Sequence, residues 1–138
     1  MFSSLLLAGS CEQKITGHQY ISFVNRTDEK IACQIIWIGK ITPADTIFQR
    51  QLFATHIPAN STYLFECGNI HRGKAWEDDF KVIPYIQFLI LNDNIYQQYY
   101  LEPCDTIRKY VPILHRYQLT LEDLQRMDWT VVYPPKEY

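Results

Sequence analysis

Histidine, serine and acidic side chains supply most of the chemistry of enzyme active sites, and in this chain of 138 residues they show no catalytic spacing. The histidines are His18, His56, His71 and His115. No two of them follow the His-Glu-x-x-His pattern that places two zinc ligands on one face of a helix. No Gly-x-Ser-x-Gly turn exposes a serine nucleophile, and the five scattered glycines form no phosphate-binding loop. The sequence therefore predicts no catalytic residues and no enzyme, with a hydrolase site assembled from distant residues as an alternative.

The sequence shows no metal-ligand spacing either. The cysteines are Cys11, Cys33, Cys67 and Cys104. They include no Cys-x-x-Cys pair, whereas zinc sites usually depend on such short spacings. The acidic run Glu77–Asp79 lacks the glycine-punctuated spacing of a calcium loop, so we interpret it as a solvated turn. The sequence predicts neither metal nor cofactor, and it predicts that Cys33, in an apolar strand pattern, is a small buried side chain.

Cys11 is the residue whose surroundings indicate a specific modification. An apolar run, Phe2–Ala8, is followed by two small residues, the cysteine, and then polar residues. This order resembles the bacterial lipobox, in which the cysteine receives the lipid. No Lys or Arg opens the segment, as one would in a complete secretory signal. We interpret residues 1–11 as a truncated signal peptide and lipobox, with a short strand holding an ordinary cysteine as the alternative.

The lipobox divides the chain into an anchor, a tether and a domain. Residues 12–18 carry few large apolar groups and are predicted to be the tether, and 19–138 have the length of one ordinary domain. The apolar run Phe2–Ala8 is too short for a bilayer span, which takes about twenty residues. The predicted partner of this end of the chain is therefore a membrane, reached through lipid on Cys11.

Composition indicates a β-rich domain without a nucleic-acid partner. Aromatic residues make up 14% of the chain, including ten tyrosines, and such residues fit a pleated, half-buried surface. Net charge is −2, and Lys and Arg are scattered. A nucleic-acid binder needs a basic face to neutralise phosphates, and none is visible here.

Two hairpins are predicted from the apolar pattern. Runs typical of strands cover Tyr20–Val24 and Ile31–Ile38, and a six-residue polar turn joins them. Val82–Leu91 is apolar on both faces, which favours a central strand. After Asn92-Asp93-Asn94 we expect the strand Ile95–Leu101, as the second hairpin.

One helix is predicted near the carboxyl end. Thr120 is a good N-cap, Asp123 completes a capping box, and the helix should run over Leu121–Met127. A second helical turn is possible at Asp105–Tyr110. Together the strands predict a mainly β fold, an antiparallel immunoglobulin-like β-sandwich with one short C-terminal helix, and a half-open barrel is the alternative.

Three stretches resemble a family of small, uncharacterised lipoproteins of Bacteroidales gut bacteria. The most distinctive is the tail Ile113–Pro135, ILHRYQLTLEDLQRMDWTVVYPP. Tyr20–Thr27 and Asp105–Arg108 are similar too. The resemblance implies an exported lipoprotein of the cell envelope, anchored at the outer membrane, and it assigns no activity and no site residues.

The same resemblance draws attention to two short motifs. Asp45-Thr46-Ile47 and Asp105-Thr106-Ile107 look like the Asp-Thr-aliphatic sequon that such bacteria use for O-glycosylation. Thr46 and Thr106 are therefore candidate acceptors. The alternative is a turn in which the aspartate caps the amides that follow.

Aromatic residues give the best candidate recognition surface. The predicted members are Trp76, Tyr96, Tyr99 and Tyr100. Such rings offer flat apolar area to sugars or to peptide side chains, and their polar tips tolerate water. Packing in the core or at its rim is the alternative.

The sequence-based hypothesis for function is a lipid-anchored binding or assembly module that docks a protein or glycan at the cell envelope. One alternative is a periplasmic inhibitor or immunity-type protein that blocks an enzyme or toxin with an exposed loop over Gly68–Lys74. The other is the envelope hydrolase, which would need a His within hydrogen-bond reach of Ser, Thr or Cys.

Overall fold

A computed structural model describes residues 17–38, 54–67 and 75–136, and these residues form seven strands and four short helices. The mainly β prediction is confirmed. The elements are β1 (Tyr20–Asn25), β2 (Ile31–Ile38), β3 (Thr55–Ile57), β4 (Ser61–Glu66), α1 (Trp76–Asp79), β5 (Tyr85–Asn92), α2 (Asp93–Tyr99), α3 (Cys104–Tyr110), β6 (Ile113–Leu119), α4 (Leu121–Arg126) and β7 (Thr130–Tyr133).

The described strands form two sheets, with orders β4-β1-β7 and β3-β2-β5-β6. Neighbouring strands are antiparallel except β1 and β7, which run parallel. β2 and β5 lie inside the larger sheet, which confirms the central strand predicted over Val82–Leu91.

The two sheets share one core. Aromatic rings from both meet there, with Phe23 of β1 centred 5.7 Å from Phe88 of β5. Cys33 is buried in this core, as predicted, and burial raises the pKa of its thiol far above the ordinary range.

The predicted hairpin of β1 and β2 is wrong, because the two strands belong to different sheets. The side chain of Asn25 explains the crossing. Its amide nitrogen donates to the carbonyls of Glu29, Ile57 and Pro58, at 2.9, 3.2 and 3.0 Å, and its oxygen accepts from the backbone N–H of Thr27. A buried amide satisfied in this way ties the turn to the end of β3.

The second predicted hairpin is also wrong, since helix α2 replaces the strand Ile95–Leu101. Asn92 ends β5 and caps α2, its side-chain oxygen accepting from the N–H of Ile95 at 3.1 Å. Asn is a turn residue and an N-cap residue, and here capping prevails. The helical turn predicted at Asp105–Tyr110 is confirmed as α3.

Helices α2 and α3 cover part of the outer face of the larger sheet. Ala32 and Leu91 pack there against Tyr96, Ile107 and Val111. The prediction of a single helix is therefore wrong. No helix in the described ranges has the length and apolar character needed to cross a membrane.

Helix α4 is where the sequence predicted it. The N–H of Asp123 donates to the Thr120 hydroxyl at 3.2 Å, and the N–H of Thr120 donates to the Asp123 carboxylate at 3.0 Å. This capping box satisfies two amides at the start of the helix.

Candidate functional site

A small pocket opens where strand β3 meets helix α2. Its volume is about 160 Å³, and we call it the His56 pocket. The residues that line it are Ala54, His56, Tyr96, Gln97 and Tyr100. A larger hollow of about 380 Å³ lies beside Gly17–Tyr20, but the polar and aromatic groups that converge on the His56 pocket make it the better candidate.

The ring of His56 is oriented by a buried carboxylate. Its Nδ1 is hydrogen-bonded to an oxygen of Asp93, the first residue of α2, whose side chain is only 5% exposed. The second oxygen of Asp93 lies 4.0 Å from the ammonium of Lys30. A carboxylate only accepts hydrogen bonds, so the neutral imidazole carries its proton on Nδ1 and keeps an acceptor lone pair on Nε2.

Gln97 supplies a second polar group at the same place. Its side-chain nitrogen is 3.4 Å from each ring nitrogen of His56, at the long end of hydrogen-bond distances. In the described part of the chain, the hydrogen-bonding partners of His56 are thus Asp93 and Gln97. Neither is a nucleophile, so the group that a serine or cysteine hydrolase needs beside its histidine is not among them.

Two of the four predicted aromatic residues line the pocket. Tyr96 is 5% exposed and Tyr100 is 40% exposed, and their ring centroids are 6.0 Å apart with the planes tilted by 36°. Tyr99 instead stacks on Tyr110, at 5.1 Å and 14°. The structure therefore brings Tyr96 and Tyr100 together with His56 and leaves Tyr99 on a neighbouring aromatic pair.

Trp76 does not belong to this surface, and the prediction that included it is wrong. Its side chain is completely buried in the core between the sheets. The indole nitrogen donates to the carbonyl of Phe65 at 3.1 Å, which satisfies its one polar group. Glu77–Asp79 follow it in helix α1, where the sequence predicted a solvated turn.

A second histidine–carboxylate pair lies at the start of the described chain. His18 Nδ1 is 2.6 Å from one carboxylate oxygen of Glu77, and its backbone N–H donates to the other at 2.8 Å. Partial burial acts to raise the pKa of Glu77, but the hydrogen bonds from His18 outweigh it and hold that pKa below its ordinary value. The pair binds the first described residues to helix α1.

His56 and Asp93 were missed by sequence reasoning. They are 37 positions apart, and Asp93 was assigned to a hairpin turn. The usable signal was the pair Asn92-Asp93, an N-cap residue followed by an acid, which is typical of a helix start. It would have placed Asp93 and Tyr96 on one face of a helix.

Several predicted sites lie outside the described residues, namely Cys11, Thr46 and the loop Gly68–Lys74. Thr106 is half-buried in the first turn of α3, and its glycosylation stays a prediction. Among the residues that the structure describes, no three His, Cys, Asp or Glu side chains are grouped to hold a metal ion.

Comparison with known proteins gave no matching family, no similar curated protein and no similar solved structure. The resemblance of the tail Ile113–Pro135 to lipoproteins of Bacteroidales stays a prediction.

Proposed function

We propose that this protein is a lipid-anchored binding module of the cell envelope, attached to the outer membrane through Cys11, and that its ligand enters the His56 pocket. The observation that carries the proposal is the imidazole of His56, held by a buried carboxylate beside two tyrosine rings. An imidazole held in this way is already oriented before a ligand binds. Little conformational entropy is therefore lost on binding.

Binding is proposed in preference to catalysis because of what surrounds His56. Its described partners are Asp93 and Gln97, which orient an imidazole and can hold a ligand. Hydrolysis by an activated serine or cysteine requires a third group within hydrogen-bond reach of the base. The inhibitor alternative depends on Gly68–Lys74, outside the described residues, so no described contact favours it.

The proposal extends to the architecture, which we take to be an immunoglobulin-like sandwich in arrangement. Two antiparallel-rich sheets share one core, and the second and fifth of the described strands pair, as strands B and E do in that fold. The outer strands are ordered differently, since β1 pairs with β4 and β7. An experimental structure with the sheets crossed at about −30° would support the comparison, and crossing near 90° would contradict it.

The anchor is tested by expressing the full chain and a Cys11→Ala variant in a Bacteroides host. We expect the unchanged chain to gain the mass of a diacylglyceryl group and to partition into detergent, while the variant stays aqueous. If both stay aqueous and unmodified, the anchor is refuted.

The pocket is tested with the unlipidated full chain, Cys11→Ala, and outer-membrane vesicles from the same host. We expect His56→Ala and Tyr100→Ala to abolish sedimentation with the vesicles. Tyr110→Ala is the matched control, since Tyr110 is exposed to a similar extent, 48% against 40%, but does not line the pocket. Equal binding by all variants would show that the pocket is not the site.

A further inference from the structure

We propose that the His56 pocket binds a single neutral sugar ring, such as the terminal residue of a glycan. This inference rests on the proposed binding function and names the chemical class of its ligand.

The size of the pocket limits the ligand to one small ring. A volume of about 160 Å³ equals that of roughly five water molecules. Pockets for drug-sized ligands and cofactors are larger, about 300–1,000 Å³. A monosaccharide unit or one amino-acid side chain matches this space, and a nucleotide or a longer oligosaccharide exceeds it.

The polar groups favour hydroxyl partners. Because Nδ1 of His56 is bonded to Asp93, a ligand hydroxyl would reach the ring at Nε2, where it would replace the long contact of 3.4 Å to the Gln97 amide. Nε2 accepts a hydrogen bond when the ring is neutral and donates one when the ring is charged. A hydroxyl group both donates and accepts, so it suits either state, and it also suits the donor and acceptor of the Gln97 amide.

The charge balance favours a neutral ligand. None of the described lining residues carries a permanent charge, as they are one alanine, one histidine, one glutamine and two tyrosines. The carboxylate of Asp93 lies behind the imidazole and faces Lys30 at 4.0 Å. Among the described residues of the wall, an anion would therefore meet no fixed cation, and a cation would meet no fixed carboxylate.

The remaining wall is aromatic. Tyr96 and Tyr100 present rings at 36° to one another, and the ring of Tyr96 is centred 6.4 Å from that of His56. The C–H face of a sugar ring is flat and apolar and can pack on such a wall, while its hydroxyls reach Nε2 and Gln97. An aliphatic side chain would use the wall but leave these polar groups without partners, which disfavours it.

The test uses the unlipidated full chain, Cys11→Ala, so that no glycoside detergent is present. The neutral probes are the methyl glycosides of four sugars: glucose, galactose, mannose and N-acetylglucosamine. The charged probes are glucuronate, which is an anion, and glucosamine, which is a cation. Saturation-transfer NMR detects binding, and titration gives Kd. We expect at least one neutral sugar to bind and its Kd to rise about three- to tenfold in His56→Phe and in Gln97→Ala, each of which removes one polar partner.

Tyr100→Ala should weaken binding by a similar factor through lost stacking, whereas Tyr110→Ala should leave Kd unchanged. Tighter binding of glucuronate or glucosamine would overturn the neutral class and leave the binding function standing. If no sugar binds while vesicle binding still depends on His56 and Tyr100, this inference fails and the proposed function survives. If no sugar binds and vesicle binding does not depend on His56 and Tyr100, the inference and the proposed binding at this pocket both fail.

Discussion

The imidazole of His18 lies flat against the indole of Trp129, with ring centroids 4.1 Å apart and planes only 13° from parallel. Trp129 adopts a left-handed backbone conformation, φ +57°, which a bulky residue rarely takes. At the edge of the ring, Nδ1 of His18 is bonded to Glu77, and the backbone carbonyl of His18 accepts from the N–H of Trp76 at 2.7 Å. The start of the described chain is therefore bound to α1 and to the turn before β7, and this is where the proposed tether joins the domain.

Replacing His18 should loosen this attachment. We expect His18→Ala to lower the free energy of unfolding by about 1–2 kcal/mol, since it removes a ring stack and a side-chain hydrogen bond. His18→Phe keeps the stack and should lose about half as much. Urea denaturation of the full chain measures both, and an unchanged midpoint in His18→Ala would contradict the role assigned to this contact.

Stability should depend on pH through Glu77. Hydrogen bonds from His18 outweigh partial burial and hold the pKa of Glu77 below its unfolded value, so folding favours the ionised carboxylate. That stabilisation is complete above the ordinary glutamate pKa of about 4.3 and is lost as pH falls through the lowered value of the folded state. The difference in unfolding free energy between the wild type and Glu77→Gln should therefore shrink as the pH is taken from about 7 to about 3.

The His18 variants provide the control for this pH dependence. In a His18→Ala background the side-chain bond to Glu77 is gone, so the difference made by Glu77→Gln should vary less with pH. If the pH dependence is the same in both backgrounds, its source is not this pair.

Asn25 should be among the most sensitive polar positions. Asn25→Ala leaves the carbonyls of Ile57, Pro58 and Glu29 without this donor. The two amide hydrogens serve these three carbonyls, and the amide oxygen accepts one further bond from the N–H of Thr27. At about 1 kcal/mol for each of two donated bonds and one accepted bond, we expect a loss of about 3 kcal/mol in the free energy of unfolding. Asn25→Asp should lower the free energy of unfolding at least as much. A carboxylate oxygen accepts hydrogen bonds and cannot donate one, so it would face the same carbonyl oxygens without a hydrogen between them.

Asn94→Ala, on the exposed side of α2, is the matched control and should change stability by less than about 0.5 kcal/mol. Denaturant titrations of all three variants give the comparison. Equal small effects at Asn25 and Asn94 would show that the crossing between the sheets does not depend on the buried amide.

The parts of the fold that could be predicted are those set by local signals. The capping box of Thr120 and Asp123 defined α4, and the apolar pattern of β5 marked an interior strand. The pairing of β1 could not be predicted, because the bonds that direct the chain from β1 into the other sheet join Asn25 to carbonyls more than thirty positions away. At Asn92 two local preferences, turn and N-cap, competed, and packing of α2 on the larger sheet decided between them.

The candidate site could also be predicted only in part, because some of its residues carry a local signal and others do not. Tyr96 and Tyr100 were recognised as possible ligand contacts by their chemistry alone. His56 and Asp93 have ordinary surroundings in the sequence, and only the meeting of β3 with α2 gives them a shared role. Trp76 was misplaced because an aromatic ring suits a core as well as a surface, and composition does not separate the two.

The bond between Asp93 and His56 makes a prediction that needs no ligand. In its neutral form His56 should carry its proton on Nδ1, because the carboxylate accepts only. In Asp93→Asn the amide can donate to Nδ1 instead, so the proton should move to Nε2. Nitrogen-15 chemical shifts of the two ring atoms distinguish the tautomers, and His115 on β6 serves as the internal control whose shifts should not change. If His56 keeps its proton on Nε2 in the wild type, then Asp93 does not orient the ring, and the acceptor assigned to the pocket is absent.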